Sequence, residues 1–233
     1  MNKNNKKPLC FIPARGGSKR ISRKNIAMLQ GKPLIAWTID SARQSELFDK
    51  VYVSSEDDEI LQIADNWGAC PLKRRTELAD DRVTLLELCL TEVGKLGEKE
   101  GYSDLYLLLP TSPFRKSSTI RKAWENYITS DADTLLSVVP CEYPPQWALT
   151  IEDNCVSPLY PIDYQSLRQD LTSSFIHDGG HLITKISSLA ETKSFIGPKT
   201  LPFYVSSVEA VDIDEPIDLL WAEFILKKNN SFV

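Results

Sequence analysis

The sequence predicts an α/β protein: a Rossmann-like, mostly parallel sheet with helices on both faces, carrying a small irregular, antiparallel insert. Three observations predict it. Apolar runs suited to buried strands alternate five times with helical periodicity between residues 9 and 139. One of these runs, Asp104-Leu105-Tyr106-Leu107-Leu108-Leu109, is apolar nearly throughout, as expected of a central strand covered on both faces. Glycines, cations and hydroxyls follow strands, at the edge where open α/β sheets hold their ligands.

Leu9 to Ile12 forms the first strand, and Pro13 breaks it into a basic loop. Gly31-Lys32-Pro33 introduces a helix from Leu34 to Ala42, with Pro33 near its first turn. Lys50 to Ser54 is the second strand. Ser55-Glu56-Asp57-Asp58-Glu59 then supplies a cap and an acidic first turn for a helix through Asn66, ended at Gly68. A short strand over 69–72 precedes a helix over 81–96. After the 104–109 strand come a helix over 117–129 and a strand over 134–139. The rhythm breaks at Pro140, and residues 141–175, rich in proline and tyrosine, predict an irregular insert whose composition suits a dimerisation surface. Strands resume at 181–184 and 202–206, and a last helix runs from Glu215-Pro216 to Leu226.

Length and charge narrow the function. The 233 residues suffice for one core, so a single domain over 8–228 is expected, with residues 1–7 as a loose tail. A formal charge of −5 argues against broad nucleic-acid binding and makes the basic loop local. Too few apolar residues follow the basic start to export the chain or span a membrane. The five cysteines have no paired spacing, which predicts free thiols and a cytoplasmic protein.

Five cations, Arg15, Lys19, Arg20, Arg23 and Lys24, sit with Gly16 and Gly17 directly after the first strand. Backbone N–H groups freed by glycine and several cations suit a triphosphate; the competing reading is a solvated basic turn. The loop lacks the Gly-Lys-Ser/Thr of a P-loop and the third glycine of a dinucleotide fingerprint. Asp212-Ile213-Asp214 can aim two carboxylates at one hard cation, Mg²⁺, or serve as a capping cluster for the last helix. His177 and His181, four apart, lack a nearby third zinc ligand, and His181 belongs to a strand.

Pro13-Ala14-Arg15-Gly16-Gly17-Ser18-Lys19-Arg20, followed by Lys24-Asn25, resembles the signature of the cytidylyltransferases that activate nonulosonic (sialic-type) acids with CTP. The resemblance extends over Phe11 to Glu223. It implies nucleotide binding by Ala14, Arg15, Gly16, Gly17, Lys19, Lys24, Asn25, Arg74, Thr111 and Ser112. It implies a sugar pocket built from Leu109, Arg168, Gln169, His177 and Asp178, and metal ligation by Asp212 and Asp214. Arg15, Lys24 and Asp212 would carry catalysis, with either aspartate as the base. Arg75 stands where the family has proline. The implied substrates are CTP and a nonulosonic acid, and the implied assembly is a homodimer. Relatives acting on sialic acid have glutamine where this chain has Leu109, which points to a methyl-terminated, 9-deoxy sugar. His177-Asp178-Gly179-Gly180 resembles pseudaminic-type enzymes, and Pro144-Pro145-Gln146-Trp147 legionaminic-type ones. A ketodeoxyoctonate-activating enzyme, an Asp-x-Asp glycosyltransferase and a silent nucleotide sensor are the alternatives.

Overall fold

The computed structural model describes residues 7–161 and 164–229. Its strands are β1 (Leu9–Pro13), β2 (Met28–Leu29), β3 (Lys32–Pro33), β4 (Val51–Ser55), β5 (Cys70–Lys73), β6 (Asp104–Leu107), β7 (Thr134–Pro140), β8 (Leu149–Glu152), β9 (Cys155–Pro158), β10 (Phe175–Lys185) and β11 (Thr200–Tyr204). Its helices are α1 (Leu34–Gln44), α2 (Asp58–Asn66), α3 (Leu85–Glu100), α4 (Ser117–Thr129), α5 (Ile186–Thr192) and α6 (Pro216–Asn229). The seven-stranded main sheet has the order β11-β7-β10-β6-β1-β4-β5. Only β10 runs against its neighbours β6 and β7.

Strand alternation divides the core into two layers. Cys10 and Ile12 point to the face covered by Ile35 and Ile39 of α1, Ile60 of α2 and Ile120 of α4. Leu9 and Phe11 point to the opposite face, against Leu88, Val93 and Leu96 of α3 and Leu189 of α5. A third apolar group seats α6, through Ala222, beside Leu29, Leu34 and Ile213. The sheet is thus covered on both sides, as expected, and its ligand edge is the carboxyl end of the parallel strands.

Several boundaries differ from the sequence reading, each for a local reason. Within the 55–59 run the cap is Asp57, accepting from the N–H groups of Glu59 and Ile60, so α2 starts at Asp58. α3 starts at Leu85 because Thr84 and Glu87 form a reciprocal capping box, and it ends at Gly101 with φ +77°. Pro33 ends the small β2–β3 hairpin before α1, and α5 was not foreseen. The insert contains the expected antiparallel pair, β8–β9, joined through Asp153 and Asn154, both at positive φ. The largest difference is β10, which begins at Phe175 rather than 181 and bulges between His177 and Leu182. Being antiparallel, β10 starts at the sheet edge where the parallel strands end. Among the described residues, no helix is long and apolar enough to cross a membrane, and all five cysteines are free.

Candidate active site

The loops after β1, β5 and β6 meet the 212–214 segment around a cleft of about 620 Å³. Arg15, Lys19, Lys24 and Asn25 line it from the first loop, Leu109 and Thr111 from the turn after β6, and Asp212 and Asp214 from the segment before α6. The first loop is fastened at several points. The Ala14 N–H donates to Ser54 O at 2.9 Å, and buried Asn25 donates from Nδ2 to Arg15 O at 2.8 Å. The Gly16 N–H donates to Glu56 Oε1 at 2.6 Å. A Cβ on Gly16 would stand 2.6 Å from Asp57 Oδ2, so the loop can approach α2 this closely only with glycine there.

The cations of the loop are held by carboxylates. Asp81 bridges Arg15 Nη1 and Lys19 Nζ, each at 2.6 Å, and these contacts, Lys19 foremost, hold its carboxyl below the usual range. Asp214 accepts from Lys24 Nζ at 2.7 Å and from Arg20 Nη1 at 3.1 Å. The Lys24 bond chiefly lowers its pKa. Asp212 behaves oppositely: desolvation pushes its carboxyl up, a hydrogen bond with Thr111 opposes this, and the Asp214 charge adds to it. Between them Ile213 is buried, and its N–H donates to Thr111 O at 2.9 Å, so the acidic segment is tied to the turn after β6.

A cytidylyltransferase profile matches residues 9–153. The pseudaminic acid cytidylyltransferase of Campylobacter jejuni is 35% identical over 231 residues, covering 97% of this chain and 98% of that one. The chain belongs to the cytidylyltransferase family. The CMP-N,N'-diacetyllegionaminic acid synthase of Legionella pneumophila is 36% identical over 96% of this chain and 97% of its own length. The N-acylneuraminate cytidylyltransferase of Escherichia coli is 32% identical over 96% of this chain, which spans 53% of it. A CMP:2-keto-3-deoxy-manno-octonic acid synthetase complexed with CTP superposes with a TM-score of 0.71 over 96% of this chain and 100% of its own, but at 14% identity this likeness concerns the fold. Full-length similarity to family enzymes sets aside the glycosyltransferase and silent-sensor alternatives, and the ketodeoxyoctonate alternative rests on fold alone.

Among the expected nucleotide residues, Arg15, Lys19, Lys24, Asn25, Arg74 and Thr111 line the cleft. Ala14, Gly16, Gly17 and Ser112 do not, and Ser112 Oγ is buried without a partner. Arg74 has a second employment: its Nε and Nη2 donate to Glu56 Oε2 at 3.2 and 2.9 Å, beside the bond from Gly16 to the other carboxylate oxygen. Of the expected sugar residues, only Leu109 lines the cleft. Arg168 borders a separate cavity of about 210 Å³ with Cys141, Pro144 and Phe175, donating to Cys141 O at 3.3 Å. Gln169 shares its single 3-10 turn. His177 donates from Nδ1 to Ser137 O at 2.8 Å, and the neighbouring Asp178 carboxylate is buried with no hydrogen-bond partner. His181 is a core residue, 2.7 Å from the Tyr106 hydroxyl, and burial pushes its pKa well down.

Two residues of consequence carried no separate signal in the sequence. Glu56 reads as helix-entry acid, yet it organises the first loop. Arg115, in the Pro110-Thr111-Ser112-Pro113-Phe114-Arg115 turn, is 4% exposed and spends its guanidinium on backbone and hydroxyl oxygens. Burial lowers its pKa to about 10, which keeps it charged at neutral pH.

Proposed function

We propose that the protein activates a nonulosonic acid with CTP, giving a CMP-sugar and pyrophosphate, and that the cleft between the basic loop and the 212–214 segment is where this happens. The juxtaposition of Arg15, Lys19 and Lys24 with Asp212 and Asp214 around one cavity carries the reading. Arg15, Lys19 and Lys24 exchange their carboxylate partners for triphosphate oxygens, and Gly16 and Gly17 shape the loop that carries these cations. Thr111 lies beside the base, with buried Ser112 behind it, and Arg74 supports the loop through Glu56. The anomeric hydroxyl of the sugar attacks the α-phosphorus, an O–P bond forms, the α–β anhydride breaks, and pyrophosphate departs with both electrons. Asp212, with its raised pKa, takes the hydroxyl proton. Positioning and charge neutralisation supply most of the acceleration, since the nucleophile belongs to the substrate.

The acidic pair suits Mg²⁺. Asp212 makes no direct ion pair among the described residues, and two carboxylates completed by phosphate oxygens and water are a common magnesium set. Among the described residues no group of three or more His, Cys, Asp or Glu side chains is arranged to hold a metal without substrate. Asp212 and Asp214 would hold the ion, which when bound offsets charge on the triphosphate and leaving group.

Leu109 forms the wall facing the sugar. A leucine cannot pair with a terminal hydroxyl but packs against a methyl group, so a 9-deoxy, 5,7-diamino nonulosonic acid is the substrate of this reading. Names of the relatives from Campylobacter jejuni and Legionella pneumophila support this class. His177 and Asp178 precede, on β10, the Gly179 that faces Leu109, and in this reading they border the sugar site. Exposed Leu149, Ile151, Val156, Leu159, Phe175 and Ile176 make the insert and the start of β10 a dimer surface. In such a dimer Arg168 and Gln169 act from the insert on the sugar. The proposed setting is the cytoplasm, where CTP is available. Pyrophosphate release with CTP and a panel of sugar acids tests the reading. Release with 9-deoxy nonulosonic acids is expected; release with ketodeoxyoctonate alone would overturn it.

A further inference from the structure

Leu109 is held in the cleft wall by an arrangement that phosphate chemistry does not require. Its carbonyl accepts from Thr38 Oγ1 and from Arg115 Nη2, both at 3.2 Å. The same guanidinium donates from Nε to Gly180 O at 2.6 Å and from Nη1 to Thr38 Oγ1 at 3.2 Å. One buried fork therefore joins the end of β6 to the bulge of β10 and to α1. A guanidinium is rigid and planar, so it fixes the separation of the two carbonyls it bridges.

The side chain of Leu109 rests on the same bulge. Gly179 has φ +76°, and a Cβ there would lie 2.9 Å from Leu109 Cδ1. No other side chain could share that space without moving the leucine. The bulge is itself fixed from β7. Ser137 Oγ accepts the His181 N–H at 2.7 Å and donates to His181 O at 3.2 Å, while Ser137 O accepts from His177 Nδ1 at 2.8 Å. The charge of buried Asp178 helps keep Arg115 protonated from within the bulge.

We propose that Arg115 and Gly179 are positioning residues for sugar selection: together they set where Leu109 stands, and so whether the cleft admits a sugar ending in methyl or in hydroxymethyl. This rests on Leu109 facing the sugar. A Cβ at Gly179 would meet Leu109 and none of the loop cations, so a substitution there should fall on one substrate.

The test uses the full chain carrying Gly179→Ala or Gly179→Asn, each with and without Leu109→Ala. Asparagine tolerates positive φ, so Gly179→Asn separates crowding from backbone strain. Crowding the leucine should raise KM for the 9-deoxy sugar about tenfold, with KM for CTP within about twofold of wild type. In a chain already carrying Leu109→Ala, which shifts sugar KM by itself, the Gly179 substitutions should add no more than about a twofold further change, because the crowded methyl groups are gone. Arg115→Lys, which keeps the charge and loses the fork, should narrow the preference for a 9-deoxy sugar over N-acetylneuraminate in direct competition. KM rising for both substrates, and by the same factor with alanine at position 109 as with leucine, would mean a merely structural role and overturn the proposal. So would unchanged sugar kinetics in Gly179→Asn while Leu109→Ala alone shifts them. If Leu109→Ala itself leaves sugar KM and preference unchanged, Leu109 does not face the sugar, and both that reading and this inference fall.

Discussion

Replacing Glu56 with alanine should damage the fold and the nucleotide site together, and by amounts that can be worked out. The carboxylate takes the Gly16 N–H on one oxygen at 2.6 Å and two N–H groups of Arg74 on the other at 3.2 and 2.9 Å. Side-chain exposure is 2% for Arg74 and 14% for Glu56, so water cannot stand in for the missing partner. Removing one member of a buried pair costs about 3–5 kcal/mol, mainly by leaving the other charge stranded. In a domain of this size that is a fall in melting temperature of about 6–20 °C. The Gly16 N–H also loses the acceptor that places the loop. A hydrogen bond to a charged group contributes about 1.5–3 kcal/mol, so KM for CTP should rise at least tenfold, measured at a temperature where the variant remains folded. Thermal unfolding and pyrophosphate-release kinetics read the two effects. Glu56→Gln, which keeps an acceptor for Gly16, should lose stability with a smaller change in KM. A Glu56→Ala protein that melts within about 2 °C of wild type and binds CTP normally would refute this account of the loop.

Three other outcomes follow from the same geometry. Lys24→Ala should weaken CTP use by about one to two orders of magnitude with little change in unfolding temperature, because it removes a charged donor at the cleft; unchanged CTP kinetics would refute it. Asp212→Asn should abolish turnover. Because the folded-state pKa of Asp212 is raised, its ionisation opposes folding above the unfolded-state pKa. The variant should therefore melt higher than wild type at neutral pH and match it in acid, while wild-type kcat/KM, which reports the free enzyme, falls as pH drops through a range above that of ordinary carboxyls. Asp81→Asn should do the reverse of the cation variants: by freeing Arg15 and Lys19 it should lower KM for CTP about two- to fivefold at low salt, a gain that shrinks as salt rises.

Much of what meets at the cleft was legible because it is local. The first loop, the Pro110–Arg115 turn and Asp212-Ile213-Asp214 each follow or precede a readable element, and the sheet gathers their ends at one edge. What escaped the sequence depends on partners far along the chain. Arg74 reads as a ligand-facing cation, and only the approach of Glu56 from the next strand makes it a strut. Asp81 reads as the start of a helix, whereas it lies across the cleft from residues 66 and 62 positions earlier, Arg15 and Lys19. β10 was underestimated because Gly179 and Gly180 interrupt its alternation, and its direction is set by pairing with β6 and β7 rather than by its own residues. Arg168 and Gln169 belong to an insert whose pattern gave its irregular character but not its distance from the cleft.

The reversed direction of β10 has a consequence for how such a protein can diverge. A parallel strand delivers its functional residues in the loop that follows it, so changing the loop length also changes the path to the next helix. β10 instead enters the sheet from the ligand side, with Leu182 to Lys185 locked in register and the irregular 178–181 stretch ahead of them. Residues 178–180 of that stretch can be exchanged while the strand behind, from buried His181 onward, keeps its pairing. Over descent, the cleft wall at Leu109 can therefore be reshaped from one short segment, while the basic loop after β1 is left as it is.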